Sequence, residues 1–112
     1  MSELKGKIDF TLFISVYNAN PNGDPLNGNR PRINLDGYGE ISDVCIKRKI
    51  RNRFQDMGEK IFVQSDDRAD DSYTSLKDRA DGCEELKEEI SKKKKADRDR
   101  CASIACKEWI DV

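Results

Sequence analysis

At 112 residues, with 36% apolar and 38% charged side chains, the chain has room for one domain at most and only a thin core. A formal net charge of -1 decides nothing about nucleic acid, so local clustering of charge has to. The four cysteines, Cys45, Cys83, Cys101 and Cys106, form no Cys-x-x-Cys pair and the chain has no histidine, which argues against zinc and for reduced thiols in a cytoplasmic protein.

No signal peptide is expected at the start, where Met1–Lys7 leads into a strand-like run, and no apolar run is long enough to span a membrane. Ile8–Tyr17 alternates. Ile8, Phe10, Leu12, Ile14 and Val16 fall on one face, and Asp9, Thr11, Phe13, Ser15 and Tyr17 on the other, which predicts a half-buried strand. Asn18–Gly39 reads as a long, turn-dense loop. Asn22-Gly23 favours positive backbone dihedrals, and Pro21 and Pro25 fix their own. In Arg30-Pro31-Arg32 the proline pushes Arg30 into an extended conformation, where residues two apart share a side. Both arginines then point the same way, at a spacing suited to successive phosphates.

A helix follows. Ser42 is its N-cap, Asp43 suits the positive end of its dipole, and Gly58 stops it after Met57. Ile46, Ile50, Phe54 and Met57 form an apolar stripe. At about 100° per residue, Arg48 and Asn52 lie nearly opposite it, Lys47 and Arg51 share one flank and Lys49 takes the other. The expectation is a helix that packs through its stripe and offers a cationic ridge to solvent.

Lys60–Gln64 is a short apolar run, read as a second strand, and the aspartate-rich Ser65–Ser72 as an exposed loop. Glu84–Lys95 reads as a solvated helix, with Glu88–Lys92 and Glu89–Lys93 spaced for i,i+4 ion pairs and Lys92–Lys95 at its end. A last helix, Arg98–Ile110, carries Cys101, Ala105 and Trp109 on one side, with Cys106 and Ile110 widening the apolar surface. Asp111-Val112 then ends the chain abruptly.

Little here supports catalysis. No histidine can serve as a base, and no phosphate-binding Gly-x-x-x-x-Gly-Lys loop or Gly-x-Ser-x-Gly elbow is present. Asp24, Asp36 and Asp43 are carboxylates of the kind that bind a metal ion or cleave RNA, but their positions suit turns and a helix terminus better. Nucleic acid fits more readily. Arg30, Arg32, Lys47, Arg48, Lys49 and Arg51 fall in one short stretch, and the loop's asparagines and glycines let a phosphate chain approach closely. Such groups bind backbone rather than bases, so the binding is expected to tolerate sequence and respond to salt.

Asn-Pro-Asn-Gly-Asp-Pro, then Gly-Asn-Arg-Pro-Arg, then Ile-Ser-Asp-Val-Cys-Ile-Lys-Arg-Lys-Ile-Arg-Asn, resembles the backbone subunit of Cascade, the type I CRISPR interference complex. The nearest resemblance is to the subtype I-C (Csd-type) member of the Cas-seven family, in the RAMP superfamily. It implies an α+β fold, an RRM-like or ferredoxin-like palm (strand–helix–strand) with an inserted helical region. Residues 1–64 would be the first half of the palm with its RNA-binding loop, and 65–112 the helical insert and the junction to a second half. Family members are longer, so an incomplete domain is expected.

The implied function is a structural subunit, not an enzyme, with no cofactor or metal. It would grip CRISPR guide RNA and present it to target DNA beside other Cascade subunits and copies of itself, with no membrane involved. The residues implied at the guide are Asn22, Gly23, Asn29, Arg30 and Arg32 from the loop, and Lys47, Arg48, Lys49 and Arg51 from the helix. Two other readings stay open: a metal-dependent endoribonuclease like the type III relatives, and a self-associating interaction module with an open sheet edge.

Overall fold

The structure, a computed structural model, describes residues 6–92 and 97–110. The chain comprises two compact units, Met1–Ile41 and Ser42–Val112. Together their elements make a mixed α+β chain with one small antiparallel sheet and four helices among the described residues. None of those helices is long and apolar enough to cross a membrane.

In the first unit, the predicted loop turns out to be two hairpins in series. Gly23–Asp24 (β1) pairs antiparallel with Arg30–Pro31 (β2), Gly23 opposite Pro31 and Asp24 opposite Arg30. One 3-10 turn, Pro25–Asn27, joins them, and Asp24 Oδ1 caps it by accepting from Leu26 N at 3.0 Å. Gly28 (φ 61°) and Asn29 (φ 57°) then turn the chain back through the left-handed region, which Gly and Asn tolerate. The second hairpin is tied at Ile33 and Gly39. Asn34 organises it: Oδ1 accepts from Asp36 N and Tyr38 N, both at 3.0 Å, and its own N–H donates to the Tyr38 carbonyl at 2.8 Å. An asparagine side chain mimicking a backbone turn is a recurrent device.

The predicted strand Ile8–Tyr17 is a correction. Among the described residues it joins no ladder, and Ile8, Phe10, Leu12, Ile14 and Val16 are all exposed. Period-two alternation says which side chains share a face; a strand also needs a neighbour to accept its N–H groups.

In the second unit, Asp43–Asp56 forms α1, capped as the sequence predicts. Ser42 Oγ accepts from Cys45 N at 3.3 Å, and the chain leaves the helix through Met57 and Gly58, whose φ of 87° suits glycine. Three further helices follow: Leu76–Asp81 (α2), Glu84–Ile90 (α3) and Arg98–Glu108 (α4). The reading above missed α2, although Ser75 three residues ahead of Asp78 is an N-terminal signal, and Ser75 Oγ does accept from Asp78 N at 3.1 Å.

The third helix stops at Ile90, capped by Ser91, well short of Lys95. Lys93–Lys95 lie outside the described residues, as do Asp111 and Val112. The predicted Glu88–Lys92 pair gives way to one centred on Glu89. This carboxylate is buried, pairs with Lys92, and receives Arg100 Nε from α4 at 3.1 Å. The fourth helix is capped by Asp97 and ends before Ile110, because Trp109 is extended (φ -129°, ψ 148°).

That extension brings Ile110 alongside the expected second strand. Among the described residues a single parallel bridge forms, Ile61 to Ile110, with Ile110 N donating to the Lys60 carbonyl at 2.9 Å. Lys60 Nζ and Glu108 Oε1, 2.7 Å apart, brace it from outside. Among the described residues the buried apolar side chains are Ile61 (1% exposed), Leu86 and Ile104, with the Phe62 ring tilted against Trp109 at 4.8 Å. The next two carbonyls beyond Ile61 accept from arginines. Arg79 Nη1 donates to the Phe62 carbonyl at 2.7 Å, and Arg48 Nη1 to the Val63 carbonyl at 2.6 Å. Arg79 is buried and also grips Asp71 with two hydrogen bonds, of 2.7 and 3.0 Å.

The hydrogen bonds from Arg79 hold the Asp71 carboxyl below its ordinary value. A carboxylate depressed in the folded state stabilises fully above its unfolded pKa, and that contribution is lost as pH falls through the lower, folded one. Unfolding in urea, followed through Trp109, should therefore need less denaturant as the pH drops below the usual carboxylate range, and Asp71→Asn should flatten that dependence. Arg79→Ala, which strands both Asp71 and the Phe62 carbonyl, is expected to cost about 3 kcal/mol in the same measurement.

Candidate nucleic-acid interface

The hairpin unit places its expected site residues within one hydrogen-bonded frame. The Asn22 carbonyl accepts from Arg32 N at 2.9 Å, and the Asn29 N–H donates to the Asp24 carbonyl at 2.8 Å. Arg30 is exposed in β2, with the extended backbone that Pro31 predicts. Arg32 is half-buried, its Nε 3.8 Å from Glu40 Oε2. Asn20, which the sequence reading did not single out, donates from Nδ2 to the Asn29 carbonyl at 2.8 Å. No local rule finds a partner nine residues away; it follows only once the hairpin is closed.

Gly23 is not among the positive-φ residues, so the expected dihedral reason for it fails. Its glycine answers to space instead: a methyl group there would meet Asn29 Oδ1 at 2.0 Å.

In the helical unit, α1 is packed differently from the prediction. The face opposite the apolar stripe is covered by residues 63–70. Arg48 Nε donates to Asn52 Oδ1 at 2.9 Å while its Nη1 holds Val63. Gln55 Nε2 donates to the Arg68 carbonyl at 2.7 Å and to Asp70 Oδ2 at 3.0 Å, and Arg68 pairs with Asp56. The Arg48–Asn52 side is thus a packing surface and not an open cationic ridge. Burial, with the Arg51 and Arg68 charges nearby, holds the Arg48 guanidinium below its ordinary value. Lys49 and Arg53 are the exposed cations of this helix. Lys47 is paired with Asp43 one turn back at 3.0 Å, and Arg51 is half-buried.

The carboxylates singled out for possible chemistry serve local structure. The Asp24 carboxylate caps the 3-10 turn and that of Asp43 sits in the first turn of α1 and pairs with Lys47, while Asp36 is placed in its turn by its backbone N–H, which donates to Asn34 Oδ1. Among the described residues, no three His, Cys, Asp or Glu side chains are grouped to hold a metal ion.

Comparison with known proteins agrees with the motif around these residues. The family model for CRISPR-associated protein Cas7 matches residues 6–112, and the chain belongs to this family, within the RAMP superfamily. It is 43% identical over 65 residues to a CRISPR-associated protein Cas7 of Haloferax volcanii. That alignment covers 54% of this chain and 19% of the relative, so the chain spans only a small part of the relative's length. No solved structure matches the chain.

The packing of α1 separates two kinds of cation. Arg48→Ala should lower unfolding stability by about 2 kcal/mol, because it strips the Val63 carbonyl and Asn52 of their donor. Lys49→Ala should leave stability within about 0.5 kcal/mol of the parent. Urea titrations monitored at Trp109 compare the two directly.

Proposed function

We propose that this chain contributes to an RNA-binding structural subunit of a type I CRISPR interference complex, Cascade, of the subtype I-C kind. It grips the guide RNA through its phosphates and helps present it to target DNA. The observation that carries the reading is the pair of hairpins holding Arg30-Pro31-Arg32 in a chain of the Cas7 family. An exposed arginine on a short extended strand, framed by asparagines and glycines, is chemistry suited to a sugar–phosphate chain and indifferent to base identity. Sequence is then read by pairing between guide and target.

Asn22, Gly23, Asn29, Arg30 and Arg32 form the hairpin contribution; Lys47, Lys49 and Arg51 supply charge from α1. Arg48, bound to the Val63 carbonyl, adds positive potential rather than a direct contact. The role is non-catalytic and cytoplasmic, with other Cascade subunits and further copies of the chain as partners. Residues 1–64 act as the first half of an RRM-like palm and 65–112 as a helical insert. Self-association is a second reading, favoured by one observation: the apolar row from Ile8 to Val16 is exposed and joins no ladder among the described residues. A strictly monomeric sedimentation profile across concentrations would count against it.

Filter binding to single-stranded guide RNA at rising salt tests the main reading. Each phosphate contact contributes about 0.7 to the log–log salt slope for a single strand. Arg30→Ala with Arg32→Ala should weaken binding and flatten the slope by about 1.4. Lys47→Ala with Arg51→Ala should act the same way. Unchanged affinity and slope in both double variants would sink the proposal.

A further inference from the structure

Around Gly23 the first hairpin is tighter than its turn sequence requires. A methyl group at that position would lie 2.0 Å from Asn29 Oδ1, 2.8 Å from Asn29 Cγ and 3.3 Å from Asn20 Nδ2. The seat of the Asn29 side chain is therefore the bare α-carbon of Gly23. Asn29 is itself committed elsewhere. Its backbone is left-handed at φ 57°, its N–H donates to the Asp24 carbonyl, and its carbonyl accepts from Asn20 Nδ2. Asparagine is among the few side chains that enter this region readily, so one residue satisfies both the backbone and the contact.

These residues sit where they control the arginines. Asn29 directly precedes Arg30. Gly23 pairs with Pro31, Asp24 pairs with Arg30, and Arg32 N–H donates to the Asn22 carbonyl next to Gly23. A methyl group at Gly23 would crowd Asn20 Nδ2 as well as the Asn29 side chain, and so press on the Asn20 bond to the Asn29 carbonyl just ahead of Arg30.

We propose that Asn20, Gly23 and Asn29 form a steric lock that positions Arg30 and Arg32 for a phosphate chain, and that Gly23 and Asn29 act by positioning and not by touching RNA. This rests on the RNA-backbone reading above and assigns Asn20 a role in it. The lock is a collision avoided, so it has a specific genetic signature. Gly23→Ala forces the Asn29 side chain away. Asn29→Gly removes that side chain while keeping a residue at ease with positive φ. The first change should be harmful alone and tolerated in the presence of the second.

The test measures binding of the full chain to a labelled single-stranded RNA of mixed sequence at fixed salt, with amide hydrogen exchange on the same variants. Gly23→Ala should weaken binding about tenfold, and Gly23→Ala with Asn29→Gly should return to within about threefold of the parent. Asn20→Ala, which removes one donor without any collision, should weaken binding about threefold. Protection of the Asn29 and Arg32 amides should fall in Gly23→Ala and recover in the double variant. Parent-like binding by Gly23→Ala, or a double variant no better than Gly23→Ala, overturns the lock. A loss on Asn29→Gly alone as large as that of Gly23→Ala overturns positioning in favour of direct contact. Failure of the parent to bind any RNA overturns the RNA reading and the positioning role with it, while amide exchange still scores the lock itself.

Discussion

The helical unit depends on two guanidinium groups that hold consecutive carbonyls, Arg79 on Phe62 and Arg48 on Val63. Among the described residues this stretch makes one parallel bridge, at Ile61. Buried carbonyls without donors are costly, and a guanidinium offers several N–H groups in a fixed fork. Arg79 ties the stretch to α2 and to Asp71, and Arg48 ties it to α1. The three aliphatic side chains buried among the described residues would hold these helices weakly by themselves. Buried arginine is tolerable because its charge is matched: Asp71 lies within 2.7 Å of Arg79.

The same economy explains α1. A helix rich in lysine and arginine looks like a solvated surface when only charge is read. Here Arg48 and Gln55 reach residues 63–70 with hydrogen bonds to the Val63 and Arg68 carbonyls and to Asp70, and Asn52 Oδ1 accepts from Arg48 Nε within the helix. Long cationic side chains have apolar stems that pack well, so a polar face can bury itself wherever carbonyls and carboxylates await it. Labour is thus divided within one sequence run: Arg48 builds the scaffold, while Lys49 and Arg53 stay at its surface.

Local rules served the sequence reading well where a single segment decides the outcome. Ser42 and Gly58 bounded α1 correctly, and Arg30-Pro31 proved extended. The motif around the arginines led to the family. Features that need a distant partner were not legible. Among the described residues, Ile8–Tyr17 has strand periodicity but no ladder, and Lys60–Gln64 yields only the Ile61 bridge. Helical phase placed Arg48 opposite the stripe but said nothing of what residues 63–70 would put there. Gly23 was noticed for a dihedral it does not adopt, because its real constraint, the Asn29 side chain, comes from the far arm of the hairpin.

The brace between Lys60 and Glu108 joins residues 48 positions apart, whereas Arg48 and Arg79 reach their carbonyls across only 15 and 17. During synthesis at roughly 5–20 residues per second, the chain therefore waits roughly 2–10 s between making Lys60 and making its partner. Both arginine contacts can close well inside that interval. The nascent helical unit is thus held first by polar clamps, with its hydrophobic centre completed last, and Ile61 spends those seconds as the exposed surface a chaperone would recognise.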